Sequence, residues 1–434
     1  MLKQVFKKAV VIIITAQARW VLKKYCPRIV AVTGSVGKTS TKDAIYSVLS
    51  KRGFVRKSDK SFNSEIGVPL TILGLPNAWN NPLHWLANIW SGLLLVLVQT
   101  KYPEWLVLEV GADRPRDIRT IAKWLSPDIV VVTKFAPVPV HVEYFGSPEE
   151  VFNEKGELVR ALKPDGTLIL STDETVLALK DRSRAQNLLT FGFFRGADVF
   201  GSKYKIEYEG ARGHRHPSGV NFSITHKGES VVVQQRGALG KQLGQTALAA
   251  AAVGIARGIP LADIAAALSE HSGPAGRMKI IEGIQGSVII DDTYNSSPVA
   301  VNEALEALSS LTAKGRKIAV LGDMLELGRF STTEHRAVGT LVATRTDILV
   351  TVGVRARDIA FGALEAHLPA SSILQFDDAR EAGIAMKEMV AEGDVLLIKG
   401  SQGIRMERIV EMIMLHPEER GRLLVRQDQE WKSR

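Results

Sequence analysis

The sequence predicts an α/β protein: a central doubly wound domain of the P-loop type, followed by a smaller Rossmann-like α/β domain. Three observations predict it. Short apolar runs alternate with stretches of helical period through most of the 434 residues, as in a parallel sheet covered on both faces. One run empties into Thr33-Gly34-Ser35-Val36-Gly37-Lys38-Thr39-Ser40, a glycine-framed turn that opens a helix. A turn-rich stretch, His271-Ser272-Gly273-Pro274-Ala275-Gly276-Arg277, separates two sets of such alternations.

Taken in order, residues 1–27 form a basic and apolar segment in which AVVIIITA (9–16) follows Lys3, Lys7 and Lys8 and leads to Arg19, Trp20, Lys23 and Lys24. It falls short of the roughly 20 apolar residues of a bilayer span and has no small-residue cleavage site. The first domain, 28–273, has buried-strand patterns at 29–33, 105–110, 129–133 and 167–171, with helical spacing at 42–49, 116–124 and 148–162. The last helix opens on Ser147-Pro148-Glu149-Glu150, which supplies a cap, a first-turn proline and acids that suit the helix dipole. An uncharged run at 83–98, LHWLANIWSGLLLVLV, carries Trp85 and Trp90 and reads as an in-plane or buried helix. Whether the two apolar stretches touch a membrane or pack on the protein stays open at this stage. From 198 to 236 the pattern turns to alternating antiparallel strands, closed by helices at 245–257 and 261–270. The second domain, 274–416, begins with a strand pair and repeats short β runs at 288–291, 317–321, 348–352 and 395–399. Residues 417–434 read as a weakly ordered polar tail.

Composition narrows the function classes. With 45% hydrophobic and 23% charged residues the chain can bury real cores. The balance of 55 basic against 46 acidic residues gives +9, which suits an anionic substrate or an acidic membrane. Nucleic acid ranks last, because basic residues are not interleaved with aromatics. Cys26, the only cysteine, excludes an internal disulfide and a cysteine-rich zinc site.

The glycine-framed turn has the parts that hold a nucleoside triphosphate. Backbone N–H groups face phosphate, Lys38 adds a point charge, the Thr39 hydroxyl is placed for Mg²⁺, and the helix start adds its dipole. Val32 stands where a standard loop has its early glycine. Glu109 ends a predicted strand beside this loop, where doubly wound sheets place ligands, and with Thr39 forms an oxygen-ligand Mg²⁺ site. His141 lies in a proline-bracketed loop and either completes a second metal site or is an ordinary satisfied histidine. Lys155, on the helix from Pro148, reads by pattern alone as a solvated lysine.

In order and spacing these motifs resemble the Mur ligases, ATP-dependent amide ligases of peptidoglycan precursor synthesis, and most closely the D-alanyl-D-alanine-adding branch. TGSVGKTST is similar to the family's nucleotide loop, which also lacks the early glycine, and SFNSEIGVPLTIL (61–73) to its asparagine-rich stretch. LEVGADRPRDI (108–118), HVEYFGSPEEVFNEKGEL (141–158), DDTYNSSP (291–298), LGDMLELG (321–328) and IKGSQGIRMERIV (398–410) resemble its acid-bearing strand end, histidine and lysine segment, adenine-facing segment and C-terminal signatures. The resemblance implies ATP and Mg²⁺, a peptide carboxylate activated as an acyl phosphate, and an amine, D-alanyl-D-alanine in this branch, that attacks it. It further implies a carbamylated Lys155 as metal ligand beside Thr39, Glu109 and His141, and Arg277 at the transferring phosphate with Lys38. Asp292 is then expected at the ribose or phosphate side, Asn295 at the adenine, and Asn63, Asp323, Glu326, Lys399 and Arg405 near the substrates.

Three departures qualify the resemblance. Only about 28 residues precede the first strand, too few for the usual uridine-gripping domain; the stretch from 75 to 106 is longer than the family connection; and Lys134 and Ser297 stand where asparagine is usual, with a loop at 136–140 two residues longer. A relative acting on another or a lipid-linked carboxylate therefore remains an alternative, as does a nucleotide-binding scaffold without turnover. A cytoplasmic monomer, with peripheral contact at the inner membrane surface left open, completes the expectation.

Overall fold

The computed structural model describes residues 2–59, 62–79, 81–210, 215–428 and 431, with side chains from residue 6 onward. Ser61, the Lys3 side chain and the end of the predicted tail lie outside the described residues. Helix α1 (Leu2–Tyr25) precedes β1 (Arg28–Thr33), α2 (Lys38–Leu49), β2 (Val55–Lys57), α3 (Gly67–Leu73), α4 (Pro82–Leu97), β3 (Trp105–Glu109), α5 (Asp117–Ala122), β4 (Ile129–Val132) and α6 (Pro148–Arg160). Then come β5 (Thr167–Ser171), β6 (Asn187–Gly192), β7 (Val199–Glu209), β8 (His216–His226) and β9 (Glu229–Arg236). These strands form a nine-stranded sheet in the order β2-β3-β1-β4-β5-β6-β7-β8-β9. It is parallel as far as β7, and β7-β8-β9 are antiparallel.

The second sheet has six strands: β10 (Lys279–Glu282), β11 (Val288–Asp292), β12 (Lys317–Gly322), β13 (Ile348–Val352), β14 (Ile373–Phe376) and β15 (Val395–Lys399), ordered β10-β11-β15-β12-β13-β14. Only β10 runs antiparallel to its neighbour. Both sheets thus have the mixed, mainly parallel character expected of doubly wound domains, with strands β1, β3 and β4 buried throughout except at Arg28. Local sequence sets the helix that follows them: the Ser147 hydroxyl accepts the Glu150 N–H at 3.2 Å, with Pro148 in the first turn.

One apolar core runs through both units. It joins the inner face of the first sheet to Val301, Leu305, Leu349 and Leu397 of the second. At its centre the helix Lys241–Ala256 buries Ala247 and Ala249 to Ala252 completely, and their small side chains let it approach α2 closely. The other face of the first sheet is covered by α1, α3 and α4 over a second core that includes Ile14, Val21, Leu70 and Trp85. Among the described residues no helix is long and apolar enough to cross a membrane.

The end of the chain departs from the weak order expected of it. Residues Arg420–Leu423 are helical, Leu424 is buried, and the Arg426 side chain is 5% exposed, bonded to the carbonyl oxygens of Thr293 and Tyr294. A polar composition gave no hint of this, because the arginine's partners are backbone atoms far away in sequence.

His271 joins α2 to the turn between the sheets, its Nδ1 lying 2.9 Å from the Ser47 hydroxyl. Burial lowers its pKa from 6.5 to about 4, against the pull of Asp43. The unfolded chain therefore takes up this proton at a higher pH than the folded one, and stability falls as pH drops through that window. Between pH 7 and pH 5 the group should cost about 2 kcal/mol. Urea unfolding of the wild type and His271→Gln at both pH values measures it: the variant should lose less stability on acidification by about that amount.

Candidate functional site

The site grows from the junction of β1 and α2. Gly34 has φ 142°, and a Cβ there would lie 2.0 Å from the Thr133 hydroxyl, so no larger residue fits. That hydroxyl donates to the carbonyl of Val36 at 2.7 Å, while the N–H groups of Ser35 and Val36 donate to the carbonyl of Lys134 at 2.8 and 3.3 Å. The loop is thereby sewn to the end of β4. Two N–H groups expected to face phosphate are spent on this seam. The anion is left to the first N–H groups of α2, which a helix cannot bond internally, after Gly37 turns the chain at φ 84°.

Lys38 folds back over the loop and donates to the carbonyl of Gly34 at 2.9 Å. Thr39 is buried beside it, Ser40 occupies the same helical turn, and the hydroxyls of Thr33 and Ser35 are buried without a partner among the described residues. Glu109, at the end of β3, is 1% exposed. Its Oε1 accepts the Asn63 amide at 3.2 Å, and its Oε2 has no hydrogen-bond partner among the described residues, with Lys42 at 3.9 Å. Asn63 thus positions the acid, and its own segment is pinned to Gly111, whose N–H donates to the Asn63 carbonyl. The Glu109 Oε2, buried and without a donor, fits a hard cation. No three His, Cys, Asp or Glu side chains form a ready metal cluster among the described residues, so a Mg²⁺ held by Glu109 and Thr39 would need phosphate oxygens to complete its shell.

Lys155 is not solvated. It is 3% exposed, and burial followed by the nearby Lys38 charge lowers its pKa to about 7, against Asp113, Glu154 and Glu109. Glu154 is occupied elsewhere, accepting the backbone N–H groups of Arg116 and Arg119 at the start of α5. Lys38 is likewise lowered by burial, with Glu109 and Asp113 opposing and Arg277 assisting. Arg277, from the linker between the sheets, is thus near enough for its charge to act on Lys38. It stacks on Tyr294 at 4.1 Å and has a buried Nε without a hydrogen-bond partner among the described residues.

His141 is held at φ 70° between two carboxylates, Glu326 at 2.6 Å from Nδ1 and Asp113 at 3.6 Å from Nε2. Its contact holds the Glu326 carboxyl below the usual range. Because Glu326 belongs to the second unit, two residues expected in separate roles meet across the cleft. Asp292 accepts the Met278 N–H at 3.2 Å and pairs with Lys399 at 2.6 Å. Lys399 also donates to the Asn295 carbonyl at 2.9 Å. Lys399, expected near the incoming amine, is instead an internal brace for the Asp292–Asn295 segment. Arg405 likewise pairs internally with Glu407 at 2.6 Å and donates to the Trp431 carbonyl. Asp323 is 6% exposed, with burial raising its pKa and the Ala356 N–H bonded to it at 2.7 Å. The departures also find uses: Lys134 pairs with Glu303 at 2.7 Å, and the Ser297 hydroxyl caps the next helix.

Two residues escaped sequence reasoning. Asp113 acts on Lys38, Lys155 and His141, and its signal was its place four residues past Glu109 in the same strand-end motif. Lys42 stands one helical turn past Lys38 and so on the same face of α2. Beside the loop opens a cavity of about 1100 Å³, lined by Val36, Gly37, Thr41, Lys134, Gln245 and Asn302 among others, large enough for a nucleotide.

Comparison with known proteins bears on the family and the fold. Residues 32–254 match the Mur ligase middle domain, and residues 276–402 match the Mur ligase, glutamate ligase domain. A UDP-N-acetylmuramoyl-tripeptide–D-alanyl-D-alanine ligase of Bacillus subtilis is 30% identical over 92% of this chain and 79% of its own length. One from Mycobacterium leprae is 31% identical over 89% and 73%. The solved structure of a MurF ligase from Thermotoga maritima in complex with ADP has a TM-score of 0.74 at 28% identity, covering 95% of this chain and 84% of that one.

The seam at Gly34 yields a direct test. Gly34→Ala should push the loop off β4 and weaken ATP binding on the order of a hundredfold. Calorimetric titration with ATP and Mg²⁺ checks it, and near-native affinity would show that the seam does not shape the nucleotide site.

Proposed function

The chain belongs to the Mur ligase family, and on that premise we propose that it joins a UDP-linked muramoyl tripeptide carboxylate to D-alanyl-D-alanine at the expense of ATP. The observation that carries this reading is the convergence of the phosphate loop, Glu109, Lys155 and Arg277 on one cleft between the two sheets. A carboxylate oxygen attacks the γ-phosphorus, the bond to ADP breaks, and the amine nitrogen then attacks the acyl phosphate, losing a proton as phosphate leaves. Lys38 and Arg277 approach the transferring group from opposite walls of the cleft, where preorganised charge is worth most. Mg²⁺, held by Thr39 and Glu109, would neutralise phosphate charge. Asn295 and Asp292 take the nucleoside side, braced by Lys399, while His141, Glu326 and Asp323 line the approach of the carboxylate and amine. The working unit is taken to be a monomer in contact with, not crossing, the inner membrane surface.

Lys155 is assigned to carbamylation. Its amine is buried beside Lys38, and at neutral pH much of it lacks the proton, which is the form that attacks CO₂. As the N–C bond forms the nitrogen releases a proton to solvent, and the neutral amine becomes a carbamate anion beside the Lys38 cation. The product would serve as an oxygen ligand of the metal.

ADP release with UDP-linked, lipid-linked and free peptide carboxylates, each with D-alanyl-D-alanine, tests the substrate assignment, and only the UDP-linked tripeptide should give full turnover. Lys38→Ala should reduce it on the order of a hundredfold or more. Lys155→Ala should be inactive and partly restored by added formate or acetate. Carbon NMR in labelled bicarbonate should show a carbamate in the wild type only. A free amine in fully active, metal-loaded protein would overturn the carbamylation.

A further inference from the structure

Helices α1 and α4 lie side by side over the outer core of the first sheet. The Gln17 amide donates to the Ile89 carbonyl at 2.8 Å, and Lys24 donates to the carbonyls of Val96 and Val98 at 2.9 and 2.7 Å, closing the C-terminal end of α4. The pair is therefore a finished platform, fixed at both helices. Each helix is apolar on two sides. In α1 the inner stripe is Val10, Ile14, Ala18 and Val21, all buried. A second stripe, Phe6, Ala9, Ile13, Ala16 and Trp20, recurs at three and four residues, with Trp20 55% exposed. In α4, Trp85, Asn88 and Gly92 face inward, while Leu83, Leu86, Trp90, Leu94 and Leu97 form an outer stripe in which Leu83 is 74% and Trp90 62% exposed.

The charge carried by the two helices is of one sign. Neither the 24 residues of α1 nor the 16 of α4 include an aspartate or glutamate. Lys8, Arg19 and Lys23 are exposed on α1 along one edge of its outer stripe, and Lys101 follows α4. A second copy of the same face would set these cations against themselves, since a two-fold contact pairs like with like. An acidic lipid surface answers both features at once, taking apolar side chains between its headgroups and neutralising the flanking lysines. Tryptophan on each outer stripe matches the interfacial preference of that ring.

We propose that the outer face of α1 and α4 docks on a bilayer of anionic phospholipid, through Phe6, Ile13, Trp20, Leu86, Trp90 and Leu94, with Lys8, Arg19 and Lys23 on the headgroups. It deepens the membrane contact in the functional reading and rests on that reading. The platform also abuts the site. Lys7 lies 3.7 Å from Glu65, two residues past Asn63, which holds Glu109. Docking thus sets the Asn63–Glu65 edge of the site toward the lipid plane.

Flotation of the full chain with phosphatidylglycerol–phosphatidylcholine vesicles at low salt tests this. The wild type should float with these vesicles but not with pure phosphatidylcholine, and tryptophan fluorescence should be quenched by brominated lipid. Trp90→Glu combined with Leu94→Glu should cut the floated fraction on the order of tenfold, and Lys8→Glu with Lys23→Glu should weaken it as salt does. Both variants should keep wild-type circular dichroism and ADP release on soluble substrate. A wild type that stays behind in low salt overturns the proposal, as does a dimer seen by light scattering that Trp90→Glu dissolves. If the chain floats yet releases no ADP with any peptide carboxylate, the ligase reading fails and the docking stands.

Discussion

Opposite charges crowded into a buried place are the constraint on which the site depends. Lys38, Lys42 and Lys155 lie out of solvent among Glu109, Asp113, Asp43 and Glu154. Burying a cation costs several kcal/mol unless it is closely paired, and burial accordingly lowers the pKa of Lys38 and Lys155. Each lysine is therefore held where a small change in its surroundings, such as the arrival of an anion beside Lys38, shifts its protonation.

Such a cluster needs rigid walls, and each wall is built from contacts that have no part in chemistry. Thr133 and the Lys134 carbonyl fix the phosphate loop to β4. On the opposite wall, Lys399 ties Asp292 to Asn295, and Arg426 holds the carbonyls between them while pairing with Glu407. Across the gap His141 meets Glu326, and Lys134 meets Glu303. Ion pairs that span a cleft can be exchanged for contacts to substrate more readily than an apolar seam can, which suits a site whose walls close on several reactants in turn.

Much of this was legible in the sequence, for local reasons. The β1–loop–α2 unit declares itself through contiguous residues, and Ser147-Pro148 fixes the start of α6 by chemistry within one turn. Strand β5 is apolar enough to stand out alone. The strands β2, β6 and β14 were not read, because each is short or half exposed and owes its existence to a neighbour already in the sheet. The same limit applies to side chains. Lys399 and Arg405 look like surface cations until Asp292 and Glu407 are brought to them. Lys155 could be distinguished from a solvated lysine by resemblance alone, since its burial is decided by elements distant in sequence.

The two apolar runs illustrate the converse, a strong local signal with an ambiguous meaning. Hydropathy counts residues without regard to side, so 9–16 and 83–98 read equally well as core helices or interfacial ones. Folding separates the two components. Val10, Ile14, Val21 and Trp85 complete the core under the first sheet, and that alone would require one stripe per helix. The outer stripes remain, with Trp20, Leu83, Trp90 and Leu97 each more than half exposed. Exposed apolar side chains scattered singly need no explanation, whereas rows of them on adjacent helices without carboxylates do. Stability of the fold does not account for the second row, so the property it serves lies outside the molecule.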